Sequence, residues 1–73
     1  RYDFILANIN RNILVADMPA YAAALAPGGD LVMSGFLEAD TAAVTQAAAK
    51  LGMETVAAET REDWMMIRVK KKK

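Results

Sequence analysis

The chain contains neither cysteine nor histidine in its 73 residues. Without cysteine there is no disulfide framework and no thiolate metal site. Without histidine the commonest general base is missing, together with Ser-His nucleophile pairs and most zinc sites, so no metal site is expected. Aromatic residues are few, at 7%, and none is interleaved with the terminal lysines in the way that stacking on nucleic-acid bases requires. No apolar run approaches the roughly 20 residues needed to span a bilayer, and no secretory signal pattern is visible. Nine basic residues balance nine acidic ones, so nothing global draws the chain to nucleic acid. A cytoplasmic protein without membrane contact is the expectation.

What is present fits one domain at most. A chain this short buries only about 60% of the surface its unfolded form exposes, and much of the 55% hydrophobic content is alanine. Four of the nine positive charges are the terminal Lys70 to Lys73, which leaves the body of the chain acidic. The sequence opens on Arg1 rather than Met, inside a strand pattern, and is expected to be a piece cut from a longer protein.

Tyr2 to Ala7 is nearly continuous apolar sequence, as in a parallel strand covered on both faces. The run stops at Asn8, which it delivers to the carboxyl edge of the sheet, where open α/β sheets bind ligands. Taken on residue type alone, Asn8 suits a helix cap or turn as well as a ligand site. Asn10 or Asn12 is the expected N-cap of a helix with Leu14, Met18, Tyr21, Ala22 and Leu25 on one face. Pro19 is expected to kink or restart that helix. Ala26 to Asp30, with its Pro-Gly-Gly, is expected as a tight turn into a second strand, Leu31 to Phe36. A strand-helix-strand unit of this length makes the two strands parallel.

Glu38 or Asp40 is placed to cap a second helix, about Thr41 to Leu51, with Val44, Ala47, Ala48 and Leu51 on its apolar face and Gly52 as its terminator. Met53 to Thr60 and Trp64 to Lys70 are separated by too few residues for a parallel crossover, so they form an antiparallel hairpin. In the last strand Met65, Ile67 and Val69 share one face and Trp64, Met66, Arg68 and Lys70 the other. Trp64 is expected to cover a sheet face, and the five methionines to fill core gaps.

Three stretches together resemble a known family. Tyr2-Asp3-Phe4-Ile5-Leu6-Ala7-Asn8-Ile9 is similar to the fourth motif of class I S-adenosylmethionine-dependent methyltransferases. Its Leu-Ala-Asn-Ile form resembles the methyltransferases of ribosomal protein L11. Leu25-Ala26-Pro27-Gly28-Gly29-Asp30-Leu31 matches the Leu-x-Pro-Gly-Gly-x-Leu turn of that class, and Ser34-Gly35-Phe36 fits the strand end that follows. The resemblance covers all but the lysine tail.

The resemblance implies an α/β fold: the second half of a Rossmann-like class I methyltransferase domain. Its four-stranded mixed sheet would have two parallel strands plus a C-terminal antiparallel hairpin, with two main helices and the last strand between its neighbours. Residues 1–69 would be the C-terminal half of the catalytic domain. Residues 70–73 would be a lysine tail, expected to be disordered.

By the same resemblance the full-length parent is an enzyme that transfers methyl groups from S-adenosylmethionine to lysine and amino-terminal amines of a large-subunit ribosomal protein. Asn8 takes the cofactor-binding position, and Asn8 with Ile9 the substrate-binding one; no catalytic residue is assigned. Ile9 stands where a related motif has proline. The glycine-rich loop that would meet the cofactor does not occur in this sequence, so the isolated chain is expected to be inactive. Two alternatives stand beside this one: a small non-enzymatic α/β interaction module using an exposed strand edge, and a basic-tailed ribosome-associated domain. Direct nucleic-acid binding is not expected. Self-association through the free edge of the first strand is expected.

Overall fold

A computed structural model describes residues 1–72. Its elements run in the order β1 (Tyr2–Asn8), α1 (Arg11–Ala24), β2 (Leu25–Leu37), a 3-10 turn (Glu38–Asp40), α2 (Thr41–Lys50), β3 (Met53–Arg61) and β4 (Trp64–Lys71). The four strands form one sheet in the order β1-β2-β4-β3. β1 and β2 are parallel, whereas β4 is antiparallel to both β2 and β3. The mixed sheet inferred from the sequence, with its final strand inserted between two earlier ones, is the observed one.

The core lies on one side of this sheet. Leu31, Met33 and Phe36 of β2 and Met65, Ile67 and Val69 of β4 point to the same face. They pack with Leu14, Met18 and Ala22 of α1 and Val44 and Ala48 of α2. The spacing of those helical residues places them on single faces, which is why each helix seats as expected. Asn10 is the N-cap of α1, and its side-chain oxygen accepts from the Ile13 N–H at 3.1 Å.

Some expectations need correction or refinement. β1 is not covered on both faces: Ala7 is buried and Ile5 half-buried beneath the helices, while Phe4 and Leu6 are 54% and 66% exposed on the opposite side. Both helices lie on one face, so an apolar strand has no cover for its other face among the described residues. Of the two expectations for Pro19, a kink or a restart, the restart does not occur: α1 is helical without interruption from Arg11 to Ala24. Met18 and Ala22, which flank Pro19 on the core-facing side, stay buried.

Ala26 to Asp30 turns as expected, with Gly28 at a φ of +83° and the Ala26 carbonyl oxygen close over Gly29, but it does so inside β2 rather than ahead of it. The backbone is already extended at Leu25, and the pairing with β1 jumps from Tyr2–Leu25 to Phe4–Asp30, so the Pro-Gly-Gly segment bulges within β2. Neither Asp40 nor Glu38 caps α2 through its side chain. The Asp40 carboxylate instead lies 3.9 Å from Arg11 of the other helix. Trp64 lies on a sheet face, the helix-free one, away from the core, and remains 54% exposed.

The boundary of the lysine tail also differs from the sequence reading. β4 continues through Lys71. Lys70 Nζ donates to the Gly28 carbonyl oxygen at 3.1 Å, and Lys71 Nζ donates to the carbonyl oxygens of Ala22 and Leu25. The Lys72 N–H donates to the Gly52 carbonyl oxygen. The expectation for Lys73 lies outside the described residues.

Candidate functional site at the carboxyl rim

The parallel pair sets the position of Asn8. Asn8 is the last residue of β1 and pairs with Ser34 of β2. The ladder goes one step further, because the Ile9 N–H donates to the Ser34 carbonyl oxygen at 3.1 Å. This bond fixes the chain at the point where it leaves the sheet for α1. Asn8 is exposed and Ile9 half-buried, so the amide expected at the rim stands at the carboxyl ends of both parallel strands.

Across the helix-free face the register lines up a transverse row. Asn8 is opposite Ser34, Ser34 opposite Met66, and Met66 opposite Glu59. A cleft of about 710 Å³ runs along this row, within the range typical of small-molecule sites. One end is formed by Asn8, Ile9, Ser34 and Gly35, the other by Glu59, Arg61 and Trp64, with Met66 between. Its chemistry is that of a trough: the aromatic side chain of Trp64, the thioether of Met66, one amide, one hydroxyl and two opposite charges. Glu59 and Arg61 are its ionisable side chains, and it holds no thiol or imidazole nucleophile. Such a cleft can orient and shield a reacting group, while the reactive bond comes from the ligand.

Gly35 is the residue that sequence reasoning passed over. Its φ is +92°, and the β2–β4 register shifts between Ser34 and Phe36. A side chain at this position would meet Asn8 Oδ1 at 2.7 Å and the Ile9 backbone at 3.0 Å. The available signal was a glycine inside an apolar strand, which marks a bulge or a close backbone approach. Ser34 and Phe36, two apart, would share a face in a regular strand; the bulge at Gly35 divides them, so that Ser34 lines the cleft and Phe36 is buried in the core.

The strongest ion pairs lie further back on the same face. Arg68 donates to Asp30 Oδ2 at 2.7 Å, and Lys70 Nζ stands 3.1 Å from Oδ1. The Arg68 guanidinium, with Lys70, holds the Asp30 carboxyl below the usual carboxylate range. On the far side of β1, burial and then the charge of Asp17 push the Tyr21 hydroxyl up. Among the described residues no group of three or more acidic, histidine or cysteine side chains could hold a metal ion. No helix among them is long and apolar enough to cross a membrane.

A parallel pair, an inserted antiparallel final strand and a polar carboxyl rim define a part of the α/β sheet of class I methyltransferases. A crystal structure of ribosomal protein L11 methylase from Lactobacillus delbrueckii subsp. bulgaricus matches this fold with a TM-score of 0.92, over 100% of this chain and 38% of its own, at 23% identity. The family described as ribosomal protein L11 methyltransferase (PrmA) matches residues 1–72, and the chain belongs to it. The ribosomal protein L11 methyltransferase of Phocaeicola vulgatus is 45% identical over 67 residues, which is 92% of this chain and 24% of the relative. That of Porphyromonas gingivalis is 43% identical, over 92% of this chain and 23% of its own length. The chain thus spans about a quarter of the length of these relatives.

Proposed function

We propose that this chain supplies one wall of the active site of a cytoplasmic, S-adenosylmethionine-dependent methyltransferase acting on lysine and amino-terminal amines of ribosomal protein L11. The observation that carries this reading is the Asn8 amide, exposed at the carboxyl rim and seated against Gly35 at the head of the cleft. The cofactor, when bound, supplies an electrophilic methyl group on a sulfonium. The residues present fit one side of such a group: an amide oxygen and a hydroxyl for polar contacts, with Trp64 and Met66 as apolar cover.

Asn8 binds the cofactor and, with the Ile9 backbone, offers acceptors that orient the N–H bonds of an incoming amine. Positioning of this kind accounts for much of the acceleration available to a displacement reaction. Trp64 and Met66 exclude water from the trough. The glycine-rich turn and the ribose-binding acid that a dinucleotide-type site requires have no counterpart in these 73 residues. They come from polypeptide outside this sequence, and the isolated chain is inactive.

The test is Asn8→Ala in the full-length methyltransferase that carries this sequence. Loss of the amide is expected to weaken S-adenosylmethionine binding by about tenfold, measured by calorimetry, with a parallel fall in transfer of labelled methyl to the ribosomal protein. Unchanged affinity and turnover would overturn the assignment.

A second reading has its own observation. β1 is an edge strand, and it presents Tyr2, Phe4 and Leu6 to solvent. Unpaired backbone groups beside apolar side chains invite strand addition, so the isolated 73-residue chain self-associates through that edge. A basic-tail contact with RNA draws less support, because the ammonium groups of Lys70 and Lys71 are engaged inside the fold.

A further inference from the structure

We infer that Gly35 is a positioning residue for Asn8: the space left by its missing side chain is the seat of the Asn8 amide. The inference rests on the reading of Asn8 as a cofactor and substrate contact, and adds what holds that contact in place. Three observations converge on one point in space. The site where a Cβ at position 35 would stand is 2.7 Å from Asn8 Oδ1, 3.0 Å from the Ile9 amide nitrogen and 3.0 Å from the Ile9 carbonyl oxygen. Ordinary contacts of a Cβ are several tenths of an ångström longer. The Ile9 backbone therefore passes directly over Gly35, with the Asn8 amide folded onto it.

The local backbone keeps this close approach in place. The ladder bond from the Ile9 N–H to the Ser34 carbonyl oxygen ties the crossing chain to the residue before Gly35. The bulge between Ser34 and Phe36 turns β2 at the same point. The φ of +92° at Gly35 is a conformation that other residues adopt only with strain. Any side chain at 35 lifts Asn8 and Ile9 together, displacing both groups that face the cleft. Oδ1 of Asn8 makes no hydrogen bond to a protein donor among the described residues, so packing on Gly35 is the contact that directs it.

Gly52 provides an internal control. It has a φ of +80°, yet a side chain there would meet nothing within 4 Å. Gly52→Ala thus imposes the same kind of backbone strain without touching the rim. In the full-length methyltransferase, Gly35→Ala is expected to weaken S-adenosylmethionine binding and to lower kcat/KM by about tenfold each, while Gly52→Ala leaves both unchanged. Because the effect passes through Asn8, adding Asn8→Ala to Gly35→Ala brings little further loss. Losses that multiply, or a Gly35→Ala enzyme that binds and turns over normally, overturn the inference.

A second measurement is independent of activity. The side-chain amide resonance of Asn8 in a nitrogen-proton correlation spectrum shifts in Gly35→Ala and stays in place in Gly52→Ala; an unmoved resonance in Gly35→Ala overturns the seat. If Gly35→Ala melts too low to assay, partial recovery of thermal stability on adding Asn8→Ala reports the same clash, and absence of recovery counts against it. A silent Asn8→Ala together with a shifted Asn8 resonance in Gly35→Ala supports the seat and overturns the cofactor role of Asn8.

Discussion

Lys71 donates from Nζ to the carbonyl oxygen of Ala22 at 2.7 Å. A second bond of 2.9 Å runs to Leu25, so an ammonium group from β4 closes the open end of α1. The last carbonyls of a helix have no partner within it, and the negative end of the macrodipole lies there. α1 has no basic residue in its own last turn; the cation arrives from 49 residues further along the chain. Lys71→Met keeps most of the aliphatic stem and removes the charge. It is expected to lower unfolding stability by about 1–2 kcal/mol in urea melts, whereas Lys72→Met, at an exposed site, changes it by less than about 0.5 kcal/mol.

Acid stability is tied to Asp30. Its folded-state pKa is lowered by Arg68 and then Lys70. A carboxylate of this kind contributes stability above its unfolded pKa and loses that contribution as the pH falls through the folded value. The melting temperature of the native chain is therefore expected to decline as the pH is taken from about 5 to about 2. Asp30→Asn, less stable at neutral pH, is expected to show a flatter decline over the same window. Parallel curves would mean that other carboxylates control acid unfolding.

The two faces of the sheet differ enough to be read by a pair of methionines. Met33 is fully buried among the helices, while Met66 is 42% exposed on the open face. Met33→Ala is expected to cost about 2–5 kcal/mol and Met66→Ala less than about 1 kcal/mol, both from denaturant unfolding. Equal costs would show the open face to be covered in solution.

That cover has its own test at Leu6. Sedimentation of the 73-residue chain is expected to show concentration-dependent association, and Leu6→Lys is expected to reduce it, since a charged side chain on an edge strand opposes pairing. The fold should be retained, as Leu6 lies outside the core. A native chain that stays monomeric at every concentration removes the edge as an interaction surface.

Much of the topology was legible because the signals were local and redundant. The apolar run ending at Asn8, the face of Leu14, Met18 and Ala22, and the short Arg61-Glu62-Asp63 connection each imposed one pairing or one packing direction. The errors share a different cause. Covering both faces of β1 was inferred from Phe4 and Leu6, but an apolar side chain states a preference for burial and does not name what buries it. Asp40 does stand at the N-cap position of α2, but its carboxylate makes no capping bond and lies 3.9 Å from Arg11 of the other helix. Lys70 and Lys71 looked like solvated charge because their partners, Asp30, Gly28, Ala22 and Leu25, are more than 35 residues distant. At the candidate site, Asn8 was visible as a polar stop after a strand. Gly35 was not, since the approach of Asn8 to it exists only once β1 and β2 are aligned.

The strand order has a consequence for biosynthesis. β4 is made after β3 but lies between β3 and β2. During translation β3 therefore has no neighbour to join until β4 clears the ribosomal exit tunnel, and Trp64 reaches the trough in the same event. Assembly of this sheet thus waits on β4, and a nascent chain stalled before β4 would be open to proteases along β3 and along the unpaired edge of β2.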